Sequence, residues 1–263
     1  MKKVGFIAAF LWISVWATAQ PNVVVDTLIK QVNDLQRLRL KHRASEQREK
    51  VALAFATAVA RLVHYPQFCG KSIDPTYRYW KNAAEVEDEE GRILVYAFMN
   101  NIVYCESEDG QVRLFSWDNL NGGSYHDYTV LIQYPTPENP RGIACKIIPL
   151  DTESEAIKVG YYKILQVDLP QKRLYCLLGY GTYGGGKHHR SLRIFELLDN
   201  EFTEATNYYP DGKQPYLASN RAQEVALSYD PEKQRIQYKS YSFDEDNGFY
   251  KREFEWKYID LTQ

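Results

Sequence analysis

The chain has 263 residues, of which 44% are apolar and 25% charged. That is enough apolar surface for a substantial core and too much for a disordered chain. The 32 basic and 34 acidic side chains leave a formal charge of −2, which argues against a nucleic-acid-binding surface.

The first nineteen residues have the pattern of an export signal. Lys2 and Lys3 form a charged start, Val4 to Trp16 an apolar stretch, and Ala17-Thr18-Ala19 a small-residue cleavage site. The apolar run is shorter than a membrane span requires. No Cys sits at the junction to carry a lipid anchor. The expected mature chain begins at Gln20 and is periplasmic or extracellular, with no stable membrane insertion after cleavage. Losing two lysines takes its net charge to −4.

Residues 20–65 read as a helical arm or helix pair. Val25, Leu28, Val32, Leu35 and Leu38 recur at three-to-four spacing, with Asp26 as the expected helix start. Ser45 caps a second segment, with Glu46 in its first turn and Val51, Phe55, Val59 and Leu62 as its stripe. The stripes are short and change phase, so a pair packed on a sheet is preferred over a coiled-coil arm.

Residues 66–263 read as an antiparallel β-rich domain. It opens with an aromatic connection up to Gly91, in which Glu85 to Glu90 form an acidic cluster. That cluster lacks the alternating ligands and central Gly of a calcium loop, so a solvated face is expected. Strands are predicted near 93–98, 101–106, 112–117, 126–134, 142–149, 160–168, 173–180, 191–198, 201–208, 222–229, 234–241 and 249–259. Turn chemistry separates them at Asp109-Gly110, Asp199-Asn200, Asp230-Pro231 and Asn247-Gly248. In the strand 112–117, Val112, Leu114 and Ser116 share one face, and Arg113, Phe115 and Trp117 the other. The 21 Tyr against 11 Phe favour sheets with wet faces.

An internal echo links Asn101 to Asn119 with Lys172 to Asn200. Each has Tyr-Cys in a first strand and Arg-apolar-Phe in a second that ends in Asp-Asn. A fainter copy spans Ala226 to Phe243. The second copy carries a longer loop, Gly181 to His189, expected to project as a dispensable tip. Repeated hairpins with unequal loops fit a mainly β fold, either an antiparallel multi-sheet domain or an irregular propeller-like one.

The pattern Ser107-x-Asp109-Gly110-x-x-Arg113-x-Phe115-Ser116-Trp117-Asp118, followed by Gly122-Gly123-Ser124, resembles a group of uncharacterised secreted β-rich proteins of Bacteroidota. Tyr161-Tyr162-Lys163-Ile164, Gly179-Tyr180-Gly181-Thr182 and Arg193-Ile194-Phe195 are similar too. The resemblance runs from about residue 60 to the C-terminus. It departs at Glu108 and in the Gly184-Gly185-Gly186-Lys187 insertion. It implies export and a β-rich fold, and no catalytic residue carries over from it.

The residues that carry chemistry are scattered. Cys69, Cys105, Cys145 and Cys176 show no metal-ligand spacing, and Cys145 and Cys176 alternate with apolar neighbours. Buried free thiols and one disulfide both remain open. His126-Asp127 could supply half of an acid–base pair. His188 and His189 point to opposite faces of a strand and would not share an ion. Gly184-Gly185-Gly186-Lys187 lacks the context of a phosphate loop. Asp118 closes a turn, and there is no G-x-S-x-G nucleophile motif. No catalytic residue, metal site or cofactor is assigned. The ligand-binding candidates are Asp118, His126, Asp127, Tyr183, Lys187 and His188. The expected function is an exported binding or structural protein with a protein or glycan ligand and no nucleic acid. The alternative is a periplasmic hydrolase using dispersed Asp, Glu and His residues.

Overall fold

The computed structural model describes residues 21–42, 46–65, 77–85, 92–120, 126–136, 139–147, 159–199, 201–221, 223 and 225–262. The predicted export signal, Ser45, the Gly122-Gly123-Ser124 motif, Cys69 and residues 86–90 of the predicted acidic cluster lie outside them, as does the side chain of Cys145.

Two helices open the described chain, α1 (Pro21–His42) and α2 (Arg48–Leu62). α1 begins five residues before the predicted start at Asp26, on a Pro whose fixed φ suits a first turn. α2 is preceded by Gln47 and carries Glu49 in its first turn. Val25, Leu28 and Val32 of α1 pack with Phe55, Ala58, Val59 and Leu62 of α2. Leu38, predicted on the buried stripe, is 41% exposed. At 3.6 residues per turn, the stripe continues from Val32 to Gln36 and Arg39, which are both buried.

The rest is three sheets. The first holds β1 (Trp80–Asn82), β2 (Ile102–Glu106), β3 (Arg113–Asp118), β4 (Tyr128–Thr136) and β5 (Asn139–Ile147), in that order. The second is built on β6 (Gly160–Asp168), β7 (Arg173–Gly184) and β8 (Lys187–Leu198). β8 pairs with β10 (Tyr216–Asn220) along its first half and with β9 (Glu201–Glu204) along its second. The third holds β11 (Leu227–Asp230), β12 (Arg235–Asp244) and β13 (Phe249–Asp260). The pairing is antiparallel except for β1 with β2. This is the multi-sheet alternative, and no barrel or propeller closes among the described residues. The three echoed hairpins, β2–β3, β7–β8 and β11–β12, each belong to a different sheet.

Alternation along the strands stacks these elements in layers. Phe115 and Trp117 face the helices, where Trp117 meets Phe55 edge-on at 5.5 Å and Phe115 meets Trp80 at 5.9 Å. Val112 and Leu114, on the opposite face, pack against Tyr161, Tyr175, Leu177 and Phe195 of the second sheet. The Ser116 hydroxyl on that face accepts the Tyr161 N–H at 3.2 Å. Leu174, Cys176 and Leu178 point the other way, onto Ile236, Tyr238 and Ile259 of the third sheet. The order is therefore helices, first sheet, second sheet, third sheet. Burial on both faces explains why β3 and β7 lack a polar side.

The Asp109 turn joins two layers. Its carboxylate accepts the Ser107 hydroxyl at 2.5 Å, the Gln111 N–H at 3.0 Å, Arg173 Nη1 at 2.6 Å and the Tyr175 hydroxyl at 2.8 Å. Burial alone would raise this carboxyl, but the hydrogen bonds outweigh it and hold it below the usual carboxylate range. The stability it adds is therefore present above its unfolded pKa of about 3.9. That stability fades as pH falls through the lower native value.

The strand predicted at 201–208 ends at Glu204, where a 3-10 turn over Thr206–Tyr208 takes over, and two further predicted elements differ in kind from those observed. Residues 93–98, read as a strand, lie in a helix, α3 (Arg92–Asn100). A short apolar run has no period of its own, and tertiary contact decides it. Adjacent Ala97 and Phe98 are both buried while Tyr96 is exposed, which suits a helix face. Phe98 packs on Tyr128 at 5.2 Å and presses on Gly160, where an added Cβ would come within 2.8 Å of its ring.

The Gly181 to His189 segment is not a projecting loop. β7 runs on to Gly184 and β8 starts at Lys187, leaving a two-residue turn at Gly185-Gly186. Thr182, His188 and His189 are buried, and β10 pairs alongside. Deleting Tyr183 to His188 would therefore remove paired strand, not slack. Gly185 and Gly186 have φ of 58° and 81°, the sign that a primed hairpin turn needs, and open space where a Cβ would go. Gly185→Asn should therefore leave stability within about 0.5 kcal/mol of the parent in urea denaturation. Gly186→Val should cost more than about 1 kcal/mol, because a β-branched residue resists positive φ.

Candidate functional site

Of the six predicted site residues, the structure joins Asp118 and His126. Asp118 ends β3, and His126 stands two residues before β4. The Asn119 N–H donates to the Asp127 carbonyl at 2.6 Å, and the Thr129 hydroxyl donates to Asn119 Oδ1 at 2.8 Å. This clamp brings His126 Nδ1 to 2.5 Å from Asp118 Oδ2. The other carboxylate oxygen accepts the Leu120 N–H at 2.6 Å, at a residue with φ of 58°. His126 was expected to act with its neighbour Asp127, but its hydrogen-bonded carboxylate is Asp118.

The helices reach into this corner. Arg39 donates through Nη2 to the Asp118 carbonyl and through Nη1 to Gln36 Oε1 at 2.7 Å. Its guanidinium lies 4.1 Å from the centre of the Phe55 ring. Burial pushes it down to about 10, opposed by the Asp118 charge. Gln36 Nε2 in turn donates to the Asn100 carbonyl at 3.0 Å. The Tyr128 hydroxyl is buried here with no hydrogen-bond partner among the described residues. Burial, then the charges of Asp118, Tyr180 and Asp127, raise its phenol well above the usual value.

A carboxylate on Nδ1 fixes the imidazole and leaves Nε2 as the basic nitrogen. That is the orienting half of an acid–base device. Among the described residues no hydroxyl, thiol or amine hydrogen-bonds to Nε2, the contact that would activate a nucleophile. What the arrangement visibly does is close the β3–β4 connection and tie it to α1.

The other three candidates lie along the β7–β8 hairpin. His188 Nδ1 meets the Tyr180 hydroxyl, and Arg221 Nε donates to its Nε2 at 3.2 Å. The Tyr183 ring packs on His189 at 4.9 Å. Lys187 Nζ sits 4.9 Å from the centre of the Phe243 ring on β12. Among the described residues no group of three metal-ligating side chains forms.

That Lys187 contact leads to the element which does project, the β12–β13 hairpin. Five of the twelve exposed large hydrophobics among the described residues are on it: Phe243, Phe249, Phe254, Trp256 and Tyr258. Register puts Phe254, Trp256 and Tyr258 on one face with Tyr241, Lys239, Gln237 and Arg235. These three residues are 42%, 43% and 46% exposed. Lys239 Nζ is 4.5 Å from the Phe254 ring centre and 5.6 Å from that of Trp256, and Arg235 is 4.2 Å from that of Tyr258. Near the hairpin tip, Asn220, Asp244, Asn247, Phe249 and Tyr250 line an open cleft of about 460 Å3. Asn220 anchors it, donating to the Tyr250 carbonyl at 2.7 Å and accepting its N–H at 3.0 Å.

This face was legible in the sequence as the alternation Phe254-x-Trp256-x-Tyr258, but alternation alone does not say which side is covered. Cys105 and Cys176 are free thiols. Burial pushes Cys176 up to about 12, and burial then the Glu106 charge raise Cys105, so both are poor nucleophiles. Among the described residues no helix is long and apolar enough to cross a membrane. No protein-family model, curated protein or solved structure matches the chain.

Proposed function

We propose that this is an exported, non-catalytic binding protein whose ligand lies along the outer face of the β12–β13 hairpin. The observation that carries the reading is the row Phe254, Trp256, Tyr258, in register and exposed. A single exposed aromatic is ordinary, whereas a row of them rimmed by polar groups marks an interaction surface. The nearby cleft and Lys187 extend the surface toward the β7–β8 turn.

Removal of the export signal leaves Trp80, Trp117 and Trp256. The first two are buried, so iodide quenching of tryptophan emission reports on Trp256. A ligand should protect that emission saturably, and the Phe254→Ala/Trp256→Ala/Tyr258→Ala variant should lose the ligand. A ligand held equally by parent and variant would overturn the reading. Export has its own test: secreted material should lack Met1 to Ala19 by intact mass, and a mass retaining Trp16 would defeat it.

The Asp118–His126 pair supports a second reading, a hydrolase with His126 as base. It requires that His126→Gln abolish turnover of some substrate while the folded protein still binds it.

A further inference from the structure

We infer that the ligand of the β12–β13 face is an extended, uncharged or weakly charged polysaccharide chain. The inference rests on the hairpin-face reading above and names its occupant.

Spacing comes first. Phe254, Trp256 and Tyr258 alternate along an extended strand, and the Phe254 and Trp256 ring centres lie 5.8 Å apart. Three rings in line suit a polymer that repeats on that scale, such as a chain of sugar rings. A pyranose presents patches of polarised C–H bonds on its faces, which meet the negative face of an aromatic ring. Its hydroxyls need donors and acceptors beside the rings. Gln237 and Tyr241 share the face and carry groups of that kind.

The ring geometry narrows the form of the chain. Phe254 and Trp256 lie 5.8 Å apart with planes at 90°, so they make a step rather than a flat shelf. A step cradles one separate chain and does not match the flat face of a crystalline polymer.

Charge narrows the class. Stacking bases would also suit rings interleaved with cations. A polyphosphate, however, needs a stripe of cations to neutralise it. Here Arg235 is paired with Asp230 at 3.5 Å, Lys239 is seated over two rings, and the whole chain is net acidic. A peptide strand would add to the outer edge of β13 rather than to its face. That strand carries Lys251, Arg252, Glu253, Glu255 and Lys257, the charged residues that discourage strand addition. An uncharged polyol is the occupant left with matching chemistry.

The test is affinity electrophoresis and iodide quenching of the full exported chain. The probes are hydroxyethyl cellulose and soluble mannan as neutral chains, polygalacturonate, single-stranded oligothymidylate, and microcrystalline cellulose. A soluble neutral chain should retard the protein and protect Trp256, with little loss on going to high salt. Trp256→Ala should weaken this about tenfold or more with an unchanged thermal midpoint. Binding only to polygalacturonate or oligothymidylate, lost steeply with salt and lost in the triple variant, would overturn the polysaccharide class and leave the hairpin face standing. Retention on microcrystalline cellulose alone would overturn the single-chain form. Binding to none of the glycans would overturn the inference. Neutral-chain binding that survives in the triple variant would overturn the hairpin face as well.

Discussion

Trp117→Ala should destabilise the protein by about 3–5 kcal/mol, the usual cost of truncating a large buried aromatic. Trp117 is 1% exposed and lies where the helix pair meets the first sheet. Its indole meets Phe55 nearly at right angles, and Phe55 in turn lies under the Arg39 guanidinium. Removing it would leave a cavity facing α2 that rigid strands on either side cannot collapse into. On the strand, Trp117 is paired with Thr129, one residue from Asp118. Urea denaturation should show a lower midpoint with an unchanged slope. Trp117→Phe should retain part of the packing and fall between parent and Ala variant. A loss below about 1 kcal/mol for Trp117→Ala would mean the helices are not docked as described.

Asp118→Ala should cost about 3–5 kcal/mol, because it removes one partner from a buried, charged network. The carboxylate is fully buried and receives the Leu120 N–H and the His126 imidazole. Without it both donors would be left in a site closed to water, and the positive φ at Leu120 would lose its support. The Arg39 guanidinium, already pushed down to about 10 by burial, would lose the charge that opposes that push. Asp118→Asn keeps the shape and part of the hydrogen bonding, so about 1–3 kcal/mol is expected. The pair of variants separates the two readings of this corner. A staple lowers the unfolding midpoint in proportion to the bonds lost. If Asp118→Asn left stability untouched while removing a hydrolytic activity, the catalytic reading would displace the staple.

Local chemistry made several elements legible before any tertiary structure was known. Turn residues stand at Gly110, Asp199 and Gly248 with positive φ, because few residue types accept it. Alternation from Val112 to Trp117 correctly divided β3 between two faces, since a strand has no other way to place its side chains. The helices at 21–42 and 48–62 showed through their 3.6-residue stripe. Tertiary structure decided the rest. Arg92–Asn100 became a helix because Phe98 had to reach Tyr128, a partner thirty residues away. Gly181 to Gly184 became strand because β8 was there to pair with it, itself held on its other side by β10. His126 took Asp118 rather than its neighbour Asp127, since the β3–β4 clamp sets which carboxylate comes within 2.5 Å. The alternation of β13 reads the same in a buried strand and an exposed one. Only the stacking of the third sheet on the second left Phe254, Trp256 and Tyr258 facing water, because burial depends on which face finds a neighbouring layer.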